Sequence, residues 1–370
     1  MRPLNIVLFG VGNVGSTLIK QILADKQHFH EAGIDLKIPV IANSRLAFFE
    51  KENLHPSWET DLGSFGFPYE LEDILRYVKD KDYKNLVAVD ATASNSFVDN
   101  YQRLVEAGFH IVAANKVANS LPFEVYKNFR ETLKEHKKQF LYETNVGAGL
   151  PIIQTLQGLH QAGEKITRVR GVFSGSLSYI FNTFSEEDKT FAEVLDEAQL
   201  KGFTEPDPRV DLSGKDVGRK LLILARELNL RKDLSEVQIQ DLVPAHLNGT
   251  TSLAHFRKNQ EHLNPDFQEL KKSLKEDEVL RHVGELDLVK QELQVKLVKE
   301  KKASAFGNLK HADASFEIYT ESYGEQPIVI QGAGAGAAVT ARGVLSDLIK
   351  LAQNLKNEDS TQKTEQRLSL

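Results

Sequence analysis

The chain contains no cysteine. Disulfides, zinc–thiolate centres and a thiolate nucleophile are excluded together. It also lacks any apolar run near the roughly 20 residues that a bilayer-crossing helix needs. The amino terminus reads Met1-Arg2-Pro3 and enters a strand pattern at once, without the apolar region and small-residue cleavage site of a signal peptide. A cytoplasmic location and no membrane partner are the expectation. Nor is there an excess of basic residues. The 46 Lys and Arg stand against 52 Asp and Glu, a formal charge of −6, so no nucleic-acid partner is expected. Lys299, Lys301 and Lys302 are interleaved with acids and read as solvated surface.

What is present is the texture of a globular protein, 41% hydrophobic and 26% charged over 370 residues. That length suggests two packed units rather than one core. Through residue 150, short apolar runs at 6–9, 38–42, 86–90, 110–114 and 140–143 alternate with amphipathic stretches at 16–23, 71–78, 97–107 and 123–136. This alternation predicts an α/β domain over 1–150, a Rossmann-type doubly wound parallel sheet. The texture changes at 151–334. Helical patterns at 152–159, 177–184 and 215–228 and an extended run at 166–173 precede β-rich runs at 285–289, 293–298, 316–319 and 328–330. A second, α+β domain with a mainly antiparallel sheet follows from these. Residues 259–277 read as an exposed, charged helix or loop. The chain is expected to rejoin the first domain over about 335–358, and 359–370 read as a flexible tail.

Gly10, Val11, Gly12, Asn13, Val14 and Gly15 form a glycine fingerprint that follows a strand and opens a helix. In that context Gly10 permits a tight turn, Gly12 admits a pyrophosphate to the backbone, and Gly15 lets the helix approach the strand. The helix N-terminus offers N–H donors to the phosphates. A dinucleotide, NADP or NAD, is the expected cofactor. The choice between them is read after the second strand, where Asn43, Ser44 and Arg45 stand and no acid is found. Asn43 and Ser44 suit ribose hydroxyls and Arg45 suits a 2′-phosphate, or is a plain surface cation.

Two further strand ends are polar. The run at 86–90 leads into Thr92, Ala93 and Ser94, and the run at 110–114 leads into Asn115 and Lys116. Ligands of open α/β sheets sit outside such ends, although Ser94 equally suits a helix cap. A second dense stretch, 202–220, holds Glu205, Asp211, Asp216 and Lys220 around two prolines. Asp216 and Lys220 share one helix face. Spacing alone leaves them an exposed ion pair worth a few tenths of a kcal/mol.

Taken together, 10–15, 90–95, 113–116, 143–151, 171–181, 202–220 and 332–340 resemble homoserine dehydrogenase of the monofunctional, short form, in that family's order and over nearly the whole chain. The resemblance implies interconversion of L-homoserine and L-aspartate 4-semialdehyde with NAD or NADP. It implies Lys220 as the acid–base group with Lys116 beside it, and a substrate held by Glu205, Asp216, Asp211 and Gly175. Whether Lys220 works as a neutral base or as a protonated acid stays open. It further implies a sodium ion on Glu143 and the backbone oxygens of Val146, Ala148 and Leu150, with Gly336 near the cofactor. The alternative for that turn is an interdomain hinge of Gly147 and Gly149. The β-rich region implies a homodimer. Ser176 stands where threonine is more usual, which keeps the hydroxyl. Only 28 residues follow Arg342, so an appended regulatory domain is not expected, nor a kinase domain before Met1. The competing reading is a non-catalytic dinucleotide-binding protein on the same scaffold.

Overall fold

The computed structural model describes residues 3–50 and 54–368, with side chains as far as Lys356. The chain divides into two compact units, 1–145 with 336–370 and 146–335.

In the first unit six strands, β1 (Leu4–Phe9), β2 (Leu36–Ala42), β3 (Ala47–Phe49), β4 (Leu86–Asp90), β5 (His110–Ala113) and β6 (Phe140–Leu141), lie in the order β3-β2-β1-β4-β5-β6. The sheet is parallel except for β3, which returns antiparallel to β2. That reversal departs from the all-parallel expectation, and its cause is local. Asn43 Oδ1 accepts the backbone N–H groups of Arg45 at 2.7 Å and Leu46 at 2.8 Å, which folds a tight turn after β2. The helices are α1 (Asn13–Ala24), α2 (Lys26–Glu31), α3 (Trp58–Phe65), α4 (Leu71–Asp80), α5 (Tyr101–Glu106), α6 (Val117–Ser120) and α7 (Phe123–Glu135). A final helix, Ala337–Leu368, closes the unit. Strand β1 shows how the layers arise, because its side chains alternate between faces. Ile6 and Leu8 meet Leu18, Ile19, Val344 and Leu348 on one side. Val7 and Phe9 meet Ile74, Val78, Leu104 and Phe109 on the other. The helix expected at 97–107 is a 3₁₀ turn, Phe97–Asn100, followed by α5. The final helix runs to Leu368, past the point where the tail was expected. Side chains of that tail lie outside the described residues.

In the second unit β7 (Ile166–Val172), β8 (Gln238–Ile239), β9 (Glu278–Asp287), β10 (Glu292–Lys301), β11 (Asp313–Thr320) and β12 (Ile328–Ala333) form a sheet ordered β12-β11-β7-β9-β10-β8. All its pairs are antiparallel except β8–β10. Its helices are α8 (Ile152–Gln161), α9 (Gly175–Glu186), α10 (Phe191–Leu200), α11 (Arg209–Leu212), α12 (Lys215–Glu227), α13 (Leu253–Asn259) and α14 (Asn264–Lys272). Helix α12 forms because Val217, Leu221 and Leu224 make one buried stripe, and Gly214 enters it with φ +65°.

Two expectations are corrected in this unit. The strand placed at 285–289 is β9, seven residues longer at its start, and Val289 lies exposed beyond its end. Residues 279–284 are buried on both faces and include Arg281, His282 and Gly284, so no alternation marks them. The stretch at 259–277 is not merely an exposed segment, because Leu263 and Phe267 are buried. Phe267 stacks on Phe191 with centroids 3.6 Å apart. Among the described residues no helix is long and apolar enough to cross a membrane.

Candidate functional site

The glycine fingerprint sits where β1 gives way to α1. Gly10 has φ +92°, and a Cβ there would come within 2.8 Å of the Ala91 carbonyl and Thr92 nitrogen. A Cβ on Gly15 would lie 2.0 Å from the Gly10 carbonyl oxygen. Both positions are therefore closed to larger residues by the protein itself. Gly12 is different. Among the described residues a Cβ there meets no atom within 4 Å, so any requirement for glycine comes from something brought to the surface. Gly12 and Asn13 are exposed and Val14 half-buried.

The adjacent strand ends are tied together by polar side chains. Asp90, 1% exposed, ends β4. Its carboxylate accepts the Thr92 N–H at 2.8 Å and the Tyr101 hydroxyl at 2.8 Å. Burial raises its pKa against the pull of these donors and of Asn115. Asn115 donates to the Ser94 carbonyl at 2.8 Å and accepts the Val117 N–H at 3.0 Å. Lys116, half-buried, is the residue between those pinned positions. Ala93 is exposed, and Ser94 Oγ accepts the Phe97 N–H at 3.1 Å, so this serine does serve as a turn cap. On the β2 side, Asn43 Oδ1 is committed to its own turn, whereas Ser44 and Arg45 are exposed. Gly336, with φ +115°, opens the final helix and accepts the Thr340 N–H at 3.1 Å.

In the second unit the stretch 202–220 is assembled around α11 and α12. Lys220 Nζ lies 2.7 Å from Asp216 Oδ2 and donates to the Phe173 carbonyl at 2.9 Å. The lysine side chain is 13% exposed and the aspartate 50%. This is not the wholly solvated pair that spacing alone described. The Phe173 ring is fixed in turn. It meets Phe316 edge-on at 5.0 Å, and a Cβ on Gly284 would come within 2.8 Å of it. Asp211 Oδ2 accepts the Glu205 N–H at 2.9 Å and also bonds the Ser176 hydroxyl. Burial pushes the Asp211 pKa up. Asp211 therefore holds the loop that presents Glu205, whose side chain is exposed. Gly175 opens α9, where a Cβ would lie 3.2 Å from the Ala312 carbonyl oxygen.

The turn after Glu143 bends sharply. Gly147 has φ +79° and Ala148 φ +55°, a left-handed pair that is strained at the alanine. Glu143, Val146 and Ala148 are buried and Leu150 half-buried. The Leu150 carbonyl accepts the Ile152 N–H at 2.9 Å. Among the described residues no three His, Cys, Asp or Glu side chains gather as metal ligands.

Sequence reasoning missed the residues that fasten the acidic loop. Arg209, 7% exposed, forks onto Asp207 at 2.9 and 2.6 Å and donates to the carbonyls of Asn248 at 2.8 Å and Thr251 at 2.9 Å. Tyr179 stacks on Phe203 at 4.3 Å and donates to Glu197 at 2.7 Å. The one available signal was an arginine among acids and prolines. Its carbonyl partners, about forty residues away, leave no mark on composition.

Comparison with known proteins gives two family matches. Residues 10–143 match the NAD-binding domain of homoserine dehydrogenase, and residues 151–349 match the homoserine dehydrogenase family itself. A homoserine dehydrogenase of Schizosaccharomyces pombe is 33% identical over 366 residues, 96% of this chain and 97% of that protein. A chloroplastic bifunctional aspartokinase/homoserine dehydrogenase of Zea mays is 38% identical over 95% of this chain. The chain spans only 39% of that relative's length. Among solved structures, a Candida auris protein described as of unknown function has a TM-score of 0.87 at 34% identity, covering 95% of this chain and 99% of its own. A hyperthermophilic archaeal homoserine dehydrogenase in complex with NADPH shares the fold, at TM-score 0.72 and 22% identity over 95% of this chain and 98% of its own.

Proposed function

The chain belongs to the homoserine dehydrogenase family, and from that premise we propose that it interconverts L-homoserine and L-aspartate 4-semialdehyde with a nicotinamide dinucleotide. The observation that carries the reading is the setting of Lys220, mostly buried and held between the Asp216 carboxylate and the Phe173 carbonyl. Both partners are acceptors, so the amine directs its N–H groups at a carboxylate and a carbonyl. This favours Lys220 as an acid during reduction. It gives a proton to the aldehyde oxygen as a hydride reaches the carbonyl carbon, and in the reverse direction it recovers that proton. Glu205 and Asp216 supply carboxylates for the substrate ammonium. Asp211 shapes the loop, and Gly175 offers its backbone to the substrate at the start of α9, where Ala312 packs close. Lys116 adds a second cation on the cofactor-binding unit.

The dinucleotide supplies and accepts the hydride. The groups that fit it are Gly10, Gly12, Asn13, Val14 and Gly15, with Thr92, Ala93 and Ser94 and with Gly336. The bare Gly12 supports this assignment most directly. Arg45 and Asn43 flank the ribose end. Because Asn43 Oδ1 is already used, the exposed Arg45 favours acceptance of a 2′-phosphate. The left-handed turn at Gly147 and Ala148 supports a sodium ion bound by Glu143 and the carbonyls of Val146, Ala148 and Leu150, since hard cations take oxygen ligands. A homodimer through the β-rich segment remains part of the proposal. Its support is the resemblance of this segment to that family.

The test is oxidation of NADPH and of NADH, side by side, by purified protein with aspartate semialdehyde. Turnover should fall by about a thousandfold in Lys220→Met while dinucleotide binding persists, the scale expected for loss of a general acid. Absence of turnover with both cofactors, or an unimpaired Lys220→Met, refutes the proposal.

A further inference from the structure

Lys116 and the loop 92–94 belong to different strand ends, yet one set of buried polar groups holds both. Asp90 fixes the loop from below through the Thr92 N–H. Tyr101 steadies Asp90 from the other side, and its ring is wedged by Phe97, Phe129 and Phe140 at 5.7–6.2 Å. The Ala114 N–H donates to the Asp90 carbonyl at 2.9 Å, so the same residue also anchors the end of β5. Asn115 spans the gap. Its amide nitrogen reaches the Ser94 carbonyl and the Thr92 hydroxyl, at 2.8 and 3.4 Å, while its amide oxygen holds the Val117 N–H. Lys116 is thus bracketed by Asn115 and by Val117, a residue that Asn115 itself restrains. The Gly10 turn leans on Ala91 and Thr92, where a Cβ would not fit, so a shift of Thr92 is transmitted to the fingerprint.

We propose that Asp90 and Asn115 are positioning residues that set the dinucleotide loop Thr92–Ser94 in register with Lys116. This rests on the reading of that loop as a cofactor contact. Two physical points favour a positioning role over ordinary core filling. First, the Asp90 carboxylate is met by hydrogen-bond donors, namely the Thr92 N–H and hydroxyl, the Tyr101 hydroxyl and the Asn115 amide. The site is therefore complementary to the ionised form, although burial raises the pKa. Second, the Asn115 side chain ties together the Ser94 carbonyl, the Thr92 hydroxyl and the Val117 N–H, all on segments that flank the proposed cofactor surface. A buried asparagine with such partners fixes geometry that an apolar residue of the same size would leave loose.

The test uses the full chain and three substitutions. Asn115→Ala removes the span, Asp90→Asn exchanges one acceptor for a donor, and Tyr101→Phe removes a single hydroxyl while keeping the ring. NADPH fluorescence titration gives Kd, steady-state reduction gives kcat and KM, and thermal melts give the folded fraction. Asn115→Ala should raise the NADPH Kd and lower kcat, each by about tenfold, which is the loss of roughly one well-made hydrogen bond. Tyr101→Phe should keep a near-native Tm and move the acid limb of NADPH affinity to higher pH, because Asp90 loses a donor that favours its charged form. The proposal is overturned if the parent binds and turns over while all three variants keep Kd and kcat within twofold. It is equally overturned if their losses scale only with unfolded fraction and the Tyr101→Phe pH profile does not move. Failure of the parent itself to bind NADPH or NADH brings down the cofactor reading and this inference with it.

Discussion

His282 should make the second unit sensitive to acid, and the size of the effect follows from its surroundings. The residue lies on β9, 2% exposed, and neither ring nitrogen has a hydrogen-bond partner among the described residues. Its ring is parallel to Phe181 at 6.5 Å and sits below Gly214, where a Cβ would be 3.4 Å from Cε1 and Nε2. Burial pushes its pKa down to about 4, against about 6.5 in an unfolded chain. Between those values the unfolded state binds a proton that the native state refuses. Stability is therefore complete above pH 6.5, falls as the pH drops, and levels off below about 4. That gap corresponds to roughly 3 kcal/mol at about 1.4 kcal/mol per pH unit. His282→Leu keeps the volume and removes both unpaired nitrogens. At pH 7 it should be neutral or slightly stabilising, and the second unit should lose its steep acid limb. The single tryptophan, Trp58, lies in α3 of the other unit and does not report on β9. Hydrogen exchange of peptides covering 278–287, corrected for intrinsic rates, is the appropriate assay. Parent and variant should diverge by about 3 kcal/mol of opening free energy between pH 6.5 and 4. Parallel profiles for the two proteins refute a buried, neutral imidazole.

Two glycines of the fingerprint should separate in mutagenesis. Gly12→Ala should leave Tm within a degree or two and weaken NADPH binding by at least tenfold, since its Cβ meets only what is bound there. Gly15→Ala should lower the stability of the first unit by several kcal/mol, because its Cβ would lie 2.0 Å from a carbonyl oxygen. Equal stability for the two variants contradicts this division. Arg209→Met should cost about 2–4 kcal/mol, because it strands Asp207 and leaves buried carbonyls without a donor. A urea titration measures that loss. A midpoint matching the parent's shows that Arg209 is dispensable.

The parts legible in the sequence share a physical property: their signal is periodic or local. The strands of the first sheet other than β3 stand out as short apolar runs, and α12 shows as a stripe at helical spacing. The glycine turn is visible because its spacing is local, with Gly15 required by the Gly10 carbonyl, although Gly10 itself is closed by Ala91 and Thr92 at the end of the neighbouring strand β4. The opposite case is β9. Helices α9 and α12 cover one face of it and the loop at Phe306 the other, so polar and apolar positions no longer alternate. Arg281 makes the point, since it donates to the carbonyls of Phe306 and Gly307 at 2.8 Å and is wholly buried. A sequence reading can only place such a residue on the surface.

The same distinction governs the site. Asp216 and Lys220 are four residues apart, so their pairing was visible, but spacing gave it the weight of a solvated ion pair. What changes that weight is a carbonyl 47 residues earlier in the chain and an aromatic ring beneath it, neither of which has any sequence relation to the helix. Once Lys220 is withdrawn from solvent, its charge is stabilised by two fixed acceptors rather than by water, and the pair acquires a direction. Asp90 and Asn115 show the converse. Each was visible as a polar residue at a strand end, a position that suggests contact with a ligand. Their hydrogen bonds turn inward instead, to Thr92, Tyr101, Ser94 and Val117. A polar residue at a strand end can therefore either meet the ligand or hold the segment that does, and only the count of its buried partners separates the two.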